Sequence, residues 1–364
     1  MNIKNSQLLL MLFCMATLSN LNSKNINFFK KTVKQRQEIQ KAKSIDILLL
    51  NALPASGKSE ARKYLASLSE KECKEQFGIN PTVQLDDFPY VHMMRRISET
   101  LNSLGKRGEY FLAPAFSFRN QREWGTLMQL INKDYDDLVN EKIENPKSAA
   151  LWLFDRMDDA RIKSGGKALL SKLDSKTRKI IEKNVEKDAA KLLNEKNAEI
   201  ERAKNLKEKT IVIEFARGGA DCAPMPLPDP YGYKYAYSQL SPQILEKASI
   251  FYIWVTPEES RRKNEERADP KDPGSILNHG VARSVMFSDY GCDDMDWLAK
   301  NSKKPNTITV NAHGKEYYLP IGKLDNRIDK TTFIRKDKSL WEKEEVTNLR
   351  TELEKAFASL TQIA

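Results

Sequence analysis

Three sets of residues in this 364-residue chain have types and spacing that can do chemistry. The first is Gly57-Lys58-Ser59, which closes the run Ala52-Leu53-Pro54-Ala55-Ser56 and precedes Glu60-Ala61-Arg62, residues that favour helix. A lysine here puts a point charge on the terminal phosphates of a bound triphosphate. The Ser59 hydroxyl is suited to Mg²⁺. The loop Ala52, Pro54, Ala55, Ser56, Gly57, Lys58, Ser59 and Glu60, through the backbone N–H groups of all but Pro54 and with the positive end of the following helix, is expected to surround the phosphate chain. The usual pattern is G-x-x-x-x-G-K-[ST], and this sequence carries Ala52 at its first position.

The second set is acidic. Asp86 and Asp87 follow the strand-like run 82–85, and Glu214 follows the run 210–213. Acids at the carboxyl ends of parallel strands face the crevice where ligands bind. Asp86 or Asp87 is expected to take a proton from an acceptor hydroxyl, and Asp87 and Glu214 to join Ser59 around the metal. Asp86 and Asp87 also suit an Asx turn or helix cap. The third set is Arg261, Arg262 and Arg267, on a helix opened by Thr256-Pro257. Guanidinium groups so placed can steady charge on a transferring phosphoryl group, although Glu258 and Arg262 also form a surface pair at i,i+4 spacing. Arg95, Arg96, Arg119 and Arg217 are further cations near the expected crevice.

These residues need a scaffold of buried strands. Residues 46–50 read as a short strand, Pro54 keeps the next stretch out of helix, and 82–85, 210–213, 248–255 and 307–310 complete a set of five, with 317–320 as an additional candidate. The fold expected is α/β: three layers, a parallel five-stranded sheet flanked by helices, and a large helical insertion at 91–209 between strands two and three. Within it, 167–209 alternates Lys and Glu around spaced apolar residues and reads as a solvated charged arm that a protein partner can use. Residues 41–335 form the catalytic domain in this division. Residues 1–40 are an apolar and basic lead, and 336–364 a closing amphipathic helix.

Composition narrows the partners. Sixty Lys and Arg against 50 Asp and Glu give a net charge of +10, which suits phosphorylated ligands and makes nucleic acid a weaker candidate. The four cysteines are far apart and the three histidines lie at no ligand spacing, so no zinc site is expected and the thiols read as reduced. The apolar run 8–18 is too short to span a bilayer and has the form of a signal-peptide core. A need for ATP favours the cytoplasm over export.

Taken together, the 52–59 loop, Asp86-Asp87, Glu214 and the arginine helix resemble the P-loop kinase superfamily, which includes nucleoside, nucleotide, polynucleotide and zeta-toxin-type kinases. The resemblance spans about 45–340 and implies Mg²⁺-ATP as donor, an Asp beside the acceptor hydroxyl, and an arginine lid. The expected activity is transfer of the γ-phosphoryl of Mg-ATP to a small-molecule or nucleotide-like acceptor. The alternative is a P-loop ATPase whose charged arm is the output.

Overall fold

The computed structural model describes residues 44–113, 116–267 and 280–361. The lead at 1–40 lies outside them. Strand β1 (Ile47–Asn51) is wholly buried, as expected of an apolar run covered on both faces. It pairs in parallel with β3 (Thr210–Phe215) on one side and β4 (Ala248–Trp254) on the other. Strand β2 (Thr82–Asp86) lies outside β3, also parallel, with Asp86 in register with Glu214.

The sheet has six strands, not five, in the order β2-β3-β1-β4-β6-β5. The stretch expected to be the fifth parallel strand, β5 (Thr307–Ala312), is an antiparallel edge. The fifth parallel position belongs to β6 (Lys315–Asp325): its first half, which holds the 317–320 stretch, pairs antiparallel with β5, and its second half, 321–325, runs parallel beside β4. The reason is local. His313 and Gly314 both have positive φ (51° and 72°), the backbone of a two-residue hairpin turn, so β6 folds back on β5 before running beside β4.

One face of the sheet packs Leu49, Ile213, Phe215 and Ile250 against α4 (Glu123–Val139) and α7 (Gly232–Ser238). The other packs Leu48, Leu50 and Phe251 against α1 (Lys58–Ala66), α2 (Glu70–Phe77) and the closing helix α12 (Lys343–Thr361). Helix α12 approaches β6 so closely that a Cβ on Gly322 would stand 2.2 Å from the Ala356 carbonyl oxygen. It is an integral part of the core.

The insertion holds α3 (Phe88–Ser103), α4, α5 (Ala149–Lys163) and α6 (Ser175–Arg202) around a core of its own. The charged stretch is one 28-residue helix, and it is not a projecting arm. Ile181, Val185, Ala189, Leu192 and Leu193 are buried against neighbouring helices, and Glu199 accepts a hydrogen bond from the Gln84 N–H on β2 at 3.0 Å. Its alternating charges follow from having one face wet and one dry.

Among the described residues no helix is long and apolar enough to cross a membrane.

Candidate active site

The turn after β1 is held from several sides. The Tyr233 hydroxyl donates to the Ala52 carbonyl (3.1 Å), Ser260 Oγ to the Pro54 carbonyl (2.7 Å), and Asn326 Nδ2 to the Ser56 carbonyl (2.9 Å). Ser56 Oγ donates back to the Leu53 carbonyl at 2.7 Å. The left-handed positions are Ala55 (φ 55°) and Gly57 (φ 103°), and Ala52 is not one of them. Alanine at the first position of the pattern is therefore unstrained. At Gly57 the glycine is required twice over, because a Cβ would also meet Thr331 Oγ1 at 2.5 Å.

Gly57 caps α1 without a side-chain hydrogen bond, so the helix begins with its positive end uncapped by any side chain. Lys58 Nζ lies 3.4 Å from the Ala52 carbonyl, folded over the loop. The Glu60 side chain turns to Arg335, which donates to its Oε1 at 2.6 Å.

A cavity of about 430 Å³ runs from this loop across the carboxyl ends of β2 and β3. Pro54, Ala55, Ser56, Gly57, Lys58, Ser59 and Glu60 line one end, and Asp86, Asp87, Glu214 and Arg217 line its floor. Ala52 lies buried beneath. The two adjacent aspartates divide their roles. Asp86 Oδ1 accepts from the Phe88 N–H at 2.8 Å, making the local turn into α3. Asp87, at the N-cap of α3, makes no capping bond; its carboxylate is 2.7 Å from Arg217 Nη1. Glu214 Oε2 is 2.9 Å from Arg62 Nη1. Both contacts are close yet misaligned, so Asp87 Oδ2 and Glu214 Oε2 are buried oxygens without a hydrogen bond.

Crowding at the strand ends shows in the protonation of the two aspartates. Burial, then Glu214 and Asp87, push the Asp86 carboxyl up to about 8. Burial raises Asp87 as well, opposed by Arg217 and Lys58. At neutral pH Asp86 is mostly a neutral acid, which lowers the repulsion on its neighbours. Arg217 is fixed by its own contacts: Nη1 donates to the Ala216 carbonyl at 2.6 Å, and the guanidinium lies 5.0 Å from the Trp124 ring centroid.

These residues suit Mg²⁺ and a triphosphate. Ser59 and two under-bonded carboxylate oxygens are hard donors, and an uncapped helix start adjoins them. Among the described residues no three His, Cys, Asp or Glu side chains group as a cation cage. Magnesium at phosphate sites takes most of its ligands from water and phosphate, so a small protein share is ordinary.

The arginine helix, α9 (Pro257–Arg267), differs from expectation. Arg262 points outward between Glu259 and Glu266, at 2.7 Å from the former, and does not line the cavity. Arg261 also stands off the cavity, pairing with Glu258 and lying 4.5 Å from the Phe287 ring centroid. The Arg267 side chain lies outside the described residues. Among the described side chains of α9, Asn264 reaches the cavity, tied to the backbone of Val281 at 2.8 Å. The helical period explains this. Arg262 neighbours acids three and four residues away on a wet face, which draws it outward, whereas Arg261 is largely buried against Phe287, off the cavity that Asn264 lines.

Of the other cations, Arg95 and Arg217 line the cavity, while Arg96 pairs with Glu99 and Asp188, and Arg119 with Glu109. The sequence reading missed Arg62, Asp289 and Tyr290 as lining residues. Arg62 had a signal: four residues after Lys58 it must share that face of α1. Asp289 and Tyr290 are brought in by tertiary packing alone.

Comparison with models of known protein families and with curated protein sequences finds no match for this chain.

Proposed function

We propose that this protein is an ATP-dependent phosphotransferase with a P-loop kinase-like three-layer fold. The observation that carries the reading is convergence. Lys58, Ser59, Asp87, Glu214, Arg62 and Arg217 border one cavity beside an uncapped helix start, at the ends of adjacent parallel strands. The central place of β1, with β3 and β4 on either side, agrees with ligand binding where strand order reverses.

Bound Mg-ATP supplies the phosphoryl group and the metal's charge. Lys58 and the N–H groups of the loop hold the phosphates, with Ser59 and Glu214 on the metal side. Asp87, turned toward Arg217 and away from helix capping, accepts the proton of the acceptor hydroxyl. Arg62 and Arg217 take the charge-steadying role expected of Arg261, Arg262 and Arg267, since their guanidinium groups border the cavity beside Glu214 and Asp87. Burial of the apolar face of α6 favours transfer over the ATPase reading in which that helix is a free output arm.

The test is ADP production by the full chain with Mg-ATP, with and without a panel of nucleosides, sugars, polynucleotide ends and phosphorylated metabolites. Slow turnover raised by one acceptor, and lost in Lys58→Ala, is the expected result. Lys58→Ala turning over ATP like the wild type would overturn it.

A further inference from the structure

Beyond the loop and the acids, the same cavity ends in a chamber of different character. Phe111, Phe118, Trp124 and Tyr290 line it. Phe111 and Phe118 stack with ring centroids 4.6 Å apart. Trp124 meets Phe118 edge-on at 4.9 Å and Tyr290 at 6.0 Å. The wall is a built feature: Phe111 and Phe118 face each other across an antiparallel bridge, and Ser98 Oγ on α3 accepts from the Tyr110 and Phe111 N–H groups at 3.1 and 3.0 Å.

Two polar groups of opposite sign interrupt this wall. Arg95 lies with its guanidinium 4.2 Å from the Phe111 ring centroid. Asp289 is buried, and its Oδ1 accepts from the Ser117 hydroxyl at 3.1 Å. A sugar or inositol ring offers many hydroxyls, and a largely aromatic chamber would strip their water without replacing the hydrogen bonds. A flat ring with both a donor and an acceptor edge matches what is present: aromatic surface to cover its face, a carboxylate for its N–H and a guanidinium for its carbonyl. The cavity's 430 Å³ is at the small end for ligand sites, and the phosphate chain shares it, which leaves room for a single small ring system.

Resting on the phosphotransferase reading, we propose that the acceptor is a planar heteroaromatic compound bearing a hydroxyl, with a nucleoside the simplest case. Its ring packs beside Tyr290, the half-buried member of the aromatic cluster, since Phe118 and Arg95 already cover the two faces of Phe111; its edge is fixed by Arg95 and Asp289. The hydroxyl then faces Asp87, where its proton passes to the carboxylate as its oxygen bonds to the γ-phosphorus and the bond to the ADP oxygen breaks.

The experiment is calorimetric titration of the full chain with adenosine and uridine against ribose and glucose, in the absence of ATP. At least one nucleoside is expected to bind with a sub-millimolar Kd while the sugars give no saturable heat. Tyr290→Leu, which keeps apolar volume and removes the ring, and Arg95→Gln are each expected to weaken binding about tenfold. Arg262→Ala, off the cavity, should bind as the wild type does. Circular dichroism of each variant guards against a folding defect. Sugar binding as tight as nucleoside binding, no nucleoside binding, or affinities within twofold in both site variants would overturn the assignment. Because these titrations contain no ATP, such failures leave the phosphotransferase reading standing. Tight nucleoside binding with no ATP turnover would instead overturn the transferase reading and the acceptor role together.

Discussion

Two buried clusters of charge sit in this molecule, and they are built on opposite lines. In the helical insertion, Asp134 accepts from the Tyr90 hydroxyl at 2.7 Å and is bonded by both Arg156 and Lys196. Arg156 also donates to Asp137 at 2.7 Å and to the Tyr90 oxygen at 2.9 Å. Burial pushes the Asp134 carboxyl up, but Lys196 and Arg156 more than offset it, so it stays below the usual carboxylate range. At the strand ends the balance is reversed. Asp86, Asp87 and Glu214 outnumber well-aligned cations, Asp87 Oδ2 and Glu214 Oε2 go without hydrogen bonds, and Asp86 and Asp87 are raised. A satisfied cluster contributes a defined fold, whereas an under-satisfied one is ready for a ligand with charge to share.

That contrast can be broken most forcefully from the structural side. Arg156→Leu is expected to destabilise the chain by about 3–5 kcal/mol, as removal of one partner from a buried pair does, measured by urea unfolding. A loss under 1 kcal/mol would erase the distinction.

Asp87→Asn should behave the other way round. Phosphotransfer is expected to fall about 10²–10⁴-fold, as for loss of a general base, with unfolding stability unchanged or slightly raised. Equal loss of stability and activity would mean that Asp87 is structural.

Acidity offers a third comparison, because the two clusters respond to pH with opposite sign. Asp86 is raised when folded, so its contribution to stability is complete below about pH 4 and is lost as pH rises through about 8. Asp134 is lowered when folded, so its contribution is present above about pH 4 and lost on acidification. Asp86→Asn should therefore flatten the decline of stability between about pH 4 and 8, while Asp134→Asn should flatten the acid limb. An unchanged pH profile in Asp86→Asn would show that this carboxyl titrates normally. Smallest of all, Arg262→Ala is expected to change stability by less than about 0.5 kcal/mol and to leave turnover intact, since exposed pairs contribute little. A hundredfold loss of activity would restore α9 as the source of the catalytic cation.

Much of the site was legible before any coordinates. The loop 52–59, Asp86-Asp87 and Glu214 announce themselves because a strand, a turn and a helix start are local events whose residues are adjacent in sequence. Adjacency also misled: Asp86 and Asp87 are indistinguishable in sequence, and only the contact of Asp87 with Arg217, 130 residues away, separates the turn-former from the cavity acid.

The sequence by itself determined the strand–turn–helix at 47–66, the strand-end acids and the amphipathic helices, since backbone propensity and side-chain period act over a few residues. Tertiary structure alone decided that Arg261 and Arg262 stand off the cavity that Arg62, Arg95 and Arg217 border. It also decided that 317–320 pairs antiparallel with β5 in the strand whose second half, 321–325, takes the fifth parallel position, and that a helix rich in Lys and Glu lies packed within the helical insertion. Each of those outcomes depends on which distant surface buries a given face, and chain-local physics holds no information on that choice.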